Sequence, residues 1–387
     1  MNNKIVYVDN NATTAVDPEV FEAMKPFLTQ FYGNPSSIHY FGGQVAAHIA
    51  KGREQIASLL GAEPSEITFT SCGTESDSSA ILSALNTCPT RRKIVTSKVE
   101  HPAVLNLCKQ LRNKGYIVSE APVDKLGRID LNIIKELIDT DTALVSIMWA
   151  NNETGNIYPV EKIAEIAHEK GAIFHTDAVQ SVGKIPINLK NTQIDLLSIS
   201  GHKLHAPKGI GILYVKKGMR FYPFMIGGHQ ENGRRAGTEN VASIVAIGKA
   251  AELAGKHMAF ENSEVKELRD YLESQILKKV KNSRVNGDIE NRVPNTTNIA
   301  FDMIEGEAIL LLLDKAGICA SSGSACTTGS LEPSHVLRAM GVPYTSAHGS
   351  LRLSLSRYNT KEEMDYIIET LIPIIAKLRA ISPYWKE

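Results

Sequence analysis

Two short stretches decide how this chain is read: Ala172-Ile173-Phe174-His175-Thr176-Asp177 and Leu196-Leu197-Ser198-Ile199-Ser200-Gly201-His202-Lys203. Each opens as an apolar run of the kind that forms a buried strand, and each ends on polar residues. Open α/β sheets place their ligands at strand ends of this sort. One end offers an acid, the other an amine. Working outward, Ile67 to Thr70, Lys93 to Thr96, Ile117 to Glu120, Ala143 to Met148 and Ile210 to Val215 also read as short buried strands, seven in all. Helical patterns lie between several of them. The clearest is Val160 to Lys170, where Val160, Ile163, Ala164, Ile166 and Ala167 form an apolar stripe. This alternation predicts an α/β fold with a mostly parallel sheet between helices.

The texture changes after about Gly255. Val265, Leu268, Leu272, Ile276 and Val280 follow a helical period on a charged background, which predicts a long amphipathic helix opening a second, smaller α+β domain. Strands near Asn298 to Ala300 and Leu351 to Leu355 and a final helix over Lys361 to Leu378 complete it. The expected division is a large domain over residues 16–258 and a small one made of 1–15 and 259–387. Lys+Arg and Asp+Glu both number 42, so charge makes no case for nucleic acid or an anionic membrane as partner. Met1-Asn2-Asn3-Lys4 lacks the apolar core of a signal peptide, and no apolar run is long enough to span a bilayer, so a cytoplasmic location is expected. Five cysteines without CxxC spacing argue against a disulfide framework and against a structural zinc site.

Asp177 and Lys203 together suit pyridoxal phosphate, whose aldehyde condenses with a lysine and whose ring nitrogen needs a carboxylate to stay protonated. Alone, a lysine after a strand is an ordinary surface charge. Other strand ends add to the pair. Thr70-Ser71-Cys72-Gly73-Thr74-Glu75-Ser76 is a strand-to-helix turn able to aim backbone N–H groups at a phosphate, although the same residues also serve as a plain helix cap. His101, in Val99-Glu100-His101-Pro102, is placed to stack on a ring and relay protons. Asn151-Asn152-Glu153-Thr154-Gly155 offers amides for a substrate carboxylate or a cofactor oxygen. Arg352 lies mid-strand in an apolar setting and needs an anion, either a structural carboxylate or that of an amino acid. Cys326 sits among small polar residues from Ser321 to Ser330, which reads as a mobile, accessible loop; Cys88, Cys108 and Cys319 read as packed thiols.

With these motifs in view, the chain resembles the pyridoxal-phosphate-dependent cysteine desulfurases of the class V aminotransferase group. The matching segments run nearly end to end: Asp9 to Thr14, Gly33-Asn34-Pro35-Ser36-Ser37, Val99 to Pro102, His175 to Ala178, Ser200 to Lys203 and Ser321 to Cys326. Gly227 to Asn240, Leu331 to Met340 and Ser382-Pro383-Tyr384-Trp385 are similar to the nitrogen-fixation branch. The resemblance implies pyridoxal-phosphate fold type I and the following roles. Lys203 carries the cofactor and acts as acid and base. Asp177 pairs with the ring nitrogen, His101 stacks on the ring and Gln180 bonds its hydroxyl. Gly73, Thr74, Ser200, Gly201 and His202 belong to the cofactor site, with Thr238 reaching the phosphate from the neighbouring subunit of a homodimer. Asn152 and Arg352 hold the carboxylate of L-cysteine. Cys326 takes the sulfur as a persulfide, alanine is released, and an iron-sulfur scaffold protein is the acceptor, with nitrogenase maturation as the destination. No resident metal is implied; the Cys326 persulfide meets a cluster only on a partner.

Two rivals differ in testable ways. A selenocysteine lyase, or a housekeeping desulfurase, shares the fold, and the Cys326 loop favours a desulfurase over the lyase. A non-enzymatic thiol or metal carrier has no need of Lys203 and Asp177 at neighbouring strand ends, and cofactor colour separates it.

Overall fold

A computed structural model describes residues 5–322, 333–383 and 385. Cys326 and most of the Ser321–Ser330 run therefore lie outside the described residues. The seven expected strands form one sheet: β2 (Ile67–Thr70), β3 (Lys93–Ser97), β4 (Ile117–Ala121), β5 (Thr142–Ser146), β6 (Ile173–Asp177), β7 (Leu196–Ser200) and β8 (Gly211–Val215), following a short β1 (Val6–Tyr7). Their order is β2-β8-β7-β6-β5-β3-β4. β8 runs antiparallel to both neighbours, while the pairs from β7 through β4 are all parallel. Buried strands need apolar residues on both faces, and β8 shows this. Ile212 and Tyr214 enter one core with Phe174, Ile163 and Ile247, while Leu213 and Val215 enter the opposite core with Ile81, Ile94 and Leu144.

A second layer holds a three-stranded antiparallel sheet, β12-β10-β9, built from β9 (Ser283–Val285), β10 (Thr296–Phe301) and β12 (Ser350–Ser354). Its core gathers Leu272, Ile276, Ile299, Phe301, Leu351, Leu353, Ile367 and Leu371. The chain's beginning joins this layer, since β1 pairs with β11 (Ile318–Cys319) in parallel. Val8 O then accepts from Ser354 N at 2.8 Å, and Asn10 N donates to Ser354 O at 3.1 Å. Beyond that edge the chain crosses to the large sheet, where Thr14 N donates to His202 O at 3.0 Å.

The amphipathic helix expected to open after Gly255 is the second half of a longer one. Helix Val241–Phe260 passes through a π-type turn, Glu261–Val265, into helix Lys266–Lys279. The first half is rich in alanine and packs on the large core. The second buries Leu272 and Ile276 in the small one, joined by Val265 at the end of the π-type turn. Composition changes at the change of neighbour, not at a break in the backbone. No helix among the described residues is long and apolar enough to cross a membrane.

Candidate active site

The carboxyl ends of β6 and β7 open into a cavity of about 610 Å³ closed on its far side by the small layer. Asp177 ends β6 and is buried, with Oδ1 accepting from Val179 N at 2.9 Å. β7 ends because Gly201-His202-Lys203 tightens into a single 3₁₀ turn. A Cβ on Gly201 would lie 2.6 Å from Ile210 Cγ2, so only glycine lets the turn pass beneath β8's entry. That turn aims Lys203 into the cavity, where Nζ donates to the carbonyls of Asn11 and Ala12, each at 2.6 Å.

The turn after β2 leads straight into helix Gly73–Thr87. Its cap, Cys72, offers no side-chain acceptor to the first N–H groups, and Gly73 and Thr74 line the cavity. Free N–H groups at a helix start attract anions. A Cβ on Gly73 would crowd Val179 Cγ2 at 3.1 Å and Ser200 Cβ at 3.3 Å. Glu75 braces the turn from behind. It accepts from Ser71 N at 2.8 Å, from the Ser71 hydroxyl and from Arg235 Nε at 3.0 Å. Burial alone would raise its pKa, but Arg235 and Ser71 outweigh that and hold the carboxyl below its ordinary value. Arg235 belongs to the Gly227–Asn240 segment, whose Glu231 is in turn gripped by Arg53 at 2.7 and 2.8 Å.

His101 caps helix Pro102–Asn113, its Nδ1 accepting from Ala103 N at 3.1 Å. The neutral ring therefore carries its proton on Nε2. Burial lowers its pKa, against the pull of the Asp177 charge. His202, held through Nδ1 to Thr13 Oγ1 at 3.1 Å, is pushed down to about 4 by burial and then by Lys203 and Lys208. His175 lies within the sheet between Ser146 Oγ (2.9 Å) and Ser198 Oγ (3.0 Å), and burial lowers it to about 3. Asp77, one turn into the helix from Gly73, also lines the cavity. Its Oδ1 is buried with no hydrogen-bond partner among the described residues. Burial first, and then the Asp177 charge, raise its carboxyl well above the ordinary range. Burial raises Asp177 too, and the charges of His101 and Lys203 only partly oppose it.

From the small layer comes Arg352 in β12, 2% exposed. It donates to Asn152 O at 2.9 Å and to Asp9 Oδ1 at 2.7 Å, and its buried Nε has no hydrogen-bond partner among the described residues. Asn11 ties the two sides together. Its side chain donates to Asn152 O at 3.1 Å and to Thr296 Oγ1 at 2.8 Å, while its carbonyl receives Lys203. Glu153 completes the wall, accepting from Ser334; burial pushes its carboxyl up to about 7, against Ser334 and Arg352.

Gly73, Thr74, His101, Asn152, Asp177, Gln180, Ser200, His202, Lys203 and Arg352 all line this one cavity. Gly201 does not, because its place is set by the close approach of Ile210. Thr238 is exposed and also off the cavity of its own chain. Asp9, Asn11, Asp77 and Glu153 were not assigned roles from sequence. Asp9 and Asn11 sit in the Asp9 to Thr14 motif, and the length of chain between them and Thr296 or Arg352 leaves no local sign of these contacts. Asp77 was marked only by falling one helical turn after Gly73.

The donor set fits a phosphorylated pyridine aldehyde. An uncapped helix start with a glycine can receive a phosphate's charge, the burial of Asp177 is only partly offset by His101 and Lys203, and a lysine amine and a guanidinium line the same space. Residues 6–367 match the aminotransferase class-V family model. The chain is 61% identical over 381 residues to the cysteine desulfurase NifS of Azotobacter vinelandii, covering 98% of this chain and 95% of the relative. It is 60% identical over 380 residues to a cysteine desulfurase of Nostoc sp., with the same coverage. A solved NifS-like protein superposes with a TM-score of 0.91 at 41% identity, over 97% of this chain and 100% of that one.

Proposed function

The chain belongs to the class-V aminotransferases and is a pyridoxal-phosphate-dependent cysteine desulfurase, and from that premise we propose which residues perform the reaction and where the sulfur goes. The single observation that carries the reading is the facing of Lys203 and Asp177 across one buried cavity that Arg352 enters from the other layer. Pyridoxal phosphate, when bound, supplies a sink for the electrons left at the α-carbon of L-cysteine.

Lys203 Nζ holds the cofactor, then removes the α-proton and returns it. Asp177 stays anionic and keeps the ring nitrogen protonated; an inserted cation favours its charged form and reverses the upward push of burial. His101 presents its ring face and its Nε2 proton. Gln180 meets the ring hydroxyl. Gly73 and Thr74 at the helix start, with Ser200 and His202, bind the phosphate. Arg352 and Asn152 orient the substrate carboxylate. The Cys326 thiolate attacks the substrate sulfur. An S–S bond forms, the C–S bond breaks with its pair moving onto carbon, and protonation there gives alanine while the sulfur stays on Cys326 as a persulfide. An iron-sulfur scaffold takes it in the cytoplasm, and kinship with the A. vinelandii enzyme favours nitrogenase maturation.

The functional unit is a homodimer in which Thr238 reaches the other subunit's phosphate. Exposed Tyr32, Ile38, Tyr40, Phe224 and Ile226 supply apolar surface of the kind an interface covers. The division at residues 16–258 against 1–15 and 259–387 is supported by Val6 and Val8 packing with the core of the second layer.

One experiment tests the assignments together. Protein treated with L-cysteine without reductant, and a second sample reduced with borohydride, are digested and mapped by mass spectrometry. Added sulfur is expected on the Cys326 peptide and the cofactor label on Lys203. Sulfur on cavity-lining Cys72 with Cys326→Ala still active, or label on another lysine, overturns the reading.

A further inference from the structure

Lys184 follows Gln180 by one turn and is buried, off the main cavity. Its Nζ donates to Gln180 Oε1 at 2.6 Å and to Asn11 Oδ1 at 3.2 Å. An ammonium has hydrogens and no lone pair, so the atoms facing it must be oxygens. That contact settles the orientation of two carboxamides that are otherwise free to turn over. The oxygen of Gln180 is turned to Lys184, which leaves Nε2 as the donor end. One of its hydrogens goes to Asn11 O at 3.0 Å, and the other remains for the cavity that Gln180 lines. Gln180 therefore has a hydrogen to offer the cavity while its oxygen is held by Lys184. A donor-only neighbour favours an oxygen that carries charge over one that carries a proton.

We propose that Lys184 is a positioning residue that locks Gln180 as a donor and thereby holds the cofactor's ring oxygen in its ionised form. This rests on the reading of Gln180 as the partner of that ring hydroxyl. The surroundings agree with it. Lys184, Lys203, His205, Glu261 and Arg357 enclose a second cavity of about 30 Å³ behind Lys203. Burial lowers Lys184 to about 7; the charges of Lys203 and Arg352 add to that and Glu261 opposes it. A neutral amine keeps two hydrogens, enough for both bonds, but gains a lone pair, so the lock is enforced while Lys184 is charged and weakens when it loses its proton. A purely structural lysine, retained to neutralise buried Glu261, would affect stability and leave the cofactor's colour change with pH untouched.

The test is a pH titration of the visible absorption of the holoenzyme, with cofactor content and thermal midpoint measured on the same samples. Gln180→Leu and Lys184→Met are each expected to raise the spectral midpoint by about one unit, a tenfold gain in proton affinity. The double variant is expected to match Gln180→Leu, because Lys184 acts through Gln180. A full additional shift in the double variant means action by charge through space and overturns the proposal. So does a Lys184→Met midpoint equal to wild type beside a shifted Gln180→Leu. An unshifted Gln180→Leu instead brings down the underlying reading of Gln180, and the proposal with it. Lys184→Arg keeps a donor and guards against a Met variant that fails to fold. It is expected to titrate with wild type, and a cofactor-loaded Lys184→Arg displaced as far as Gln180→Leu overturns the proposal independently.

Discussion

The buried carboxyls at the sheet side of the cavity and the buried guanidinium opposite them are treated differently. On the sheet side, Asp177 is buried near a second carboxyl, Asp77, and burial pushes both upward. On the small-layer side, Arg352 is just as buried but already rests on Asp9 at 2.7 Å. Burying an unpaired charge costs several kcal/mol, and a partner recovers much of that. Lys203 and His101 only partly offset the burial of Asp177, so the sheet wall still favours a further cation beside it, which suits the proposed cofactor ring nitrogen. The other wall is balanced without substrate, which suits a ligand that comes and goes. On the proposed reading, an incoming substrate carboxylate competes with Asp9 for the Arg352 guanidinium, whose Nε is itself buried.

The strongest way to break this contrast is at Asp177. Asp177→Asn keeps the shape and removes the charge, and breaking a buried pair of this kind costs about 3–5 kcal/mol. Exchange of the α-proton of L-cysteine, followed by NMR in heavy water, is expected to slow by roughly 10²-fold or more. Exchange at the wild-type rate would mean the sheet wall is not waiting for a cation. The second test sharpens the other wall. Arg352→Ala is expected to raise KM for L-cysteine by about 10–100-fold, the loss of a charge-assisted pair. Asp9→Asn is expected to lower KM by a few-fold with kcat little changed, as weakening a competitor does. An Asp9→Asn enzyme with raised KM would show Asp9 to be a support for Arg352 and not its rival.

The smallest effect belongs to Glu153, which shares the wall with Arg352. Burial raises its folded-state pKa to about 7, above the ordinary 4.5 of a glutamate. The folded protein therefore holds a proton that the unfolded chain releases. No stability is lost to this group below the unfolded value, and the cost grows as pH rises from there through the folded value. Glu153→Gln is expected to flatten that decline, gaining on the order of 1–3 kcal/mol relative to wild type between pH 4 and 8. Parallel stability curves in urea denaturation across that range would show that Arg352 already compensates the charge.

Much of this architecture was legible because it is written locally. Short apolar runs ending in polar residues marked β6 and β7 and the functional groups at their ends. A lone arginine inside Leu351-Arg352-Leu353 marked a charge that must find an anion. Which anion was not legible, since Asp9 lies 343 residues away and the pairing depends on two sheets meeting. The change in texture after Gly255 suggested a new helix, whereas the backbone runs on from Val241 through a π-type turn. Side-chain composition reports which core a helix touches and not where its hydrogen bonds begin. Gly201 was read with the site because it stands in the lysine motif; its actual constraint, the approach of Ile210, comes from a neighbouring strand. Asp77 lies just past the Thr70–Ser76 turn, and its burial emerges only once His175 is packed against it.

The crossing of residues 6 to 14 from one layer to the other also bears on the order of events during synthesis. β2 through β8 are complete by residue 215, and a chain emerging N-terminus first can assemble that sheet early. The first strand cannot be placed then, because its partners, β11 and the edge of β12, come at residues 318–319 and 350–354. Until they are made, the segment carrying Asn11 and Ala12 lacks its anchor at Ser354 and is held near Lys203 only by contacts within the large layer, such as Gln180 with Asn11 and Thr14 with His202. Closing so long a loop is slow compared with local pairing. The earliest-made residues are thus among the last to settle, and the lysine waits for the far end of its own chain before its surroundings are complete.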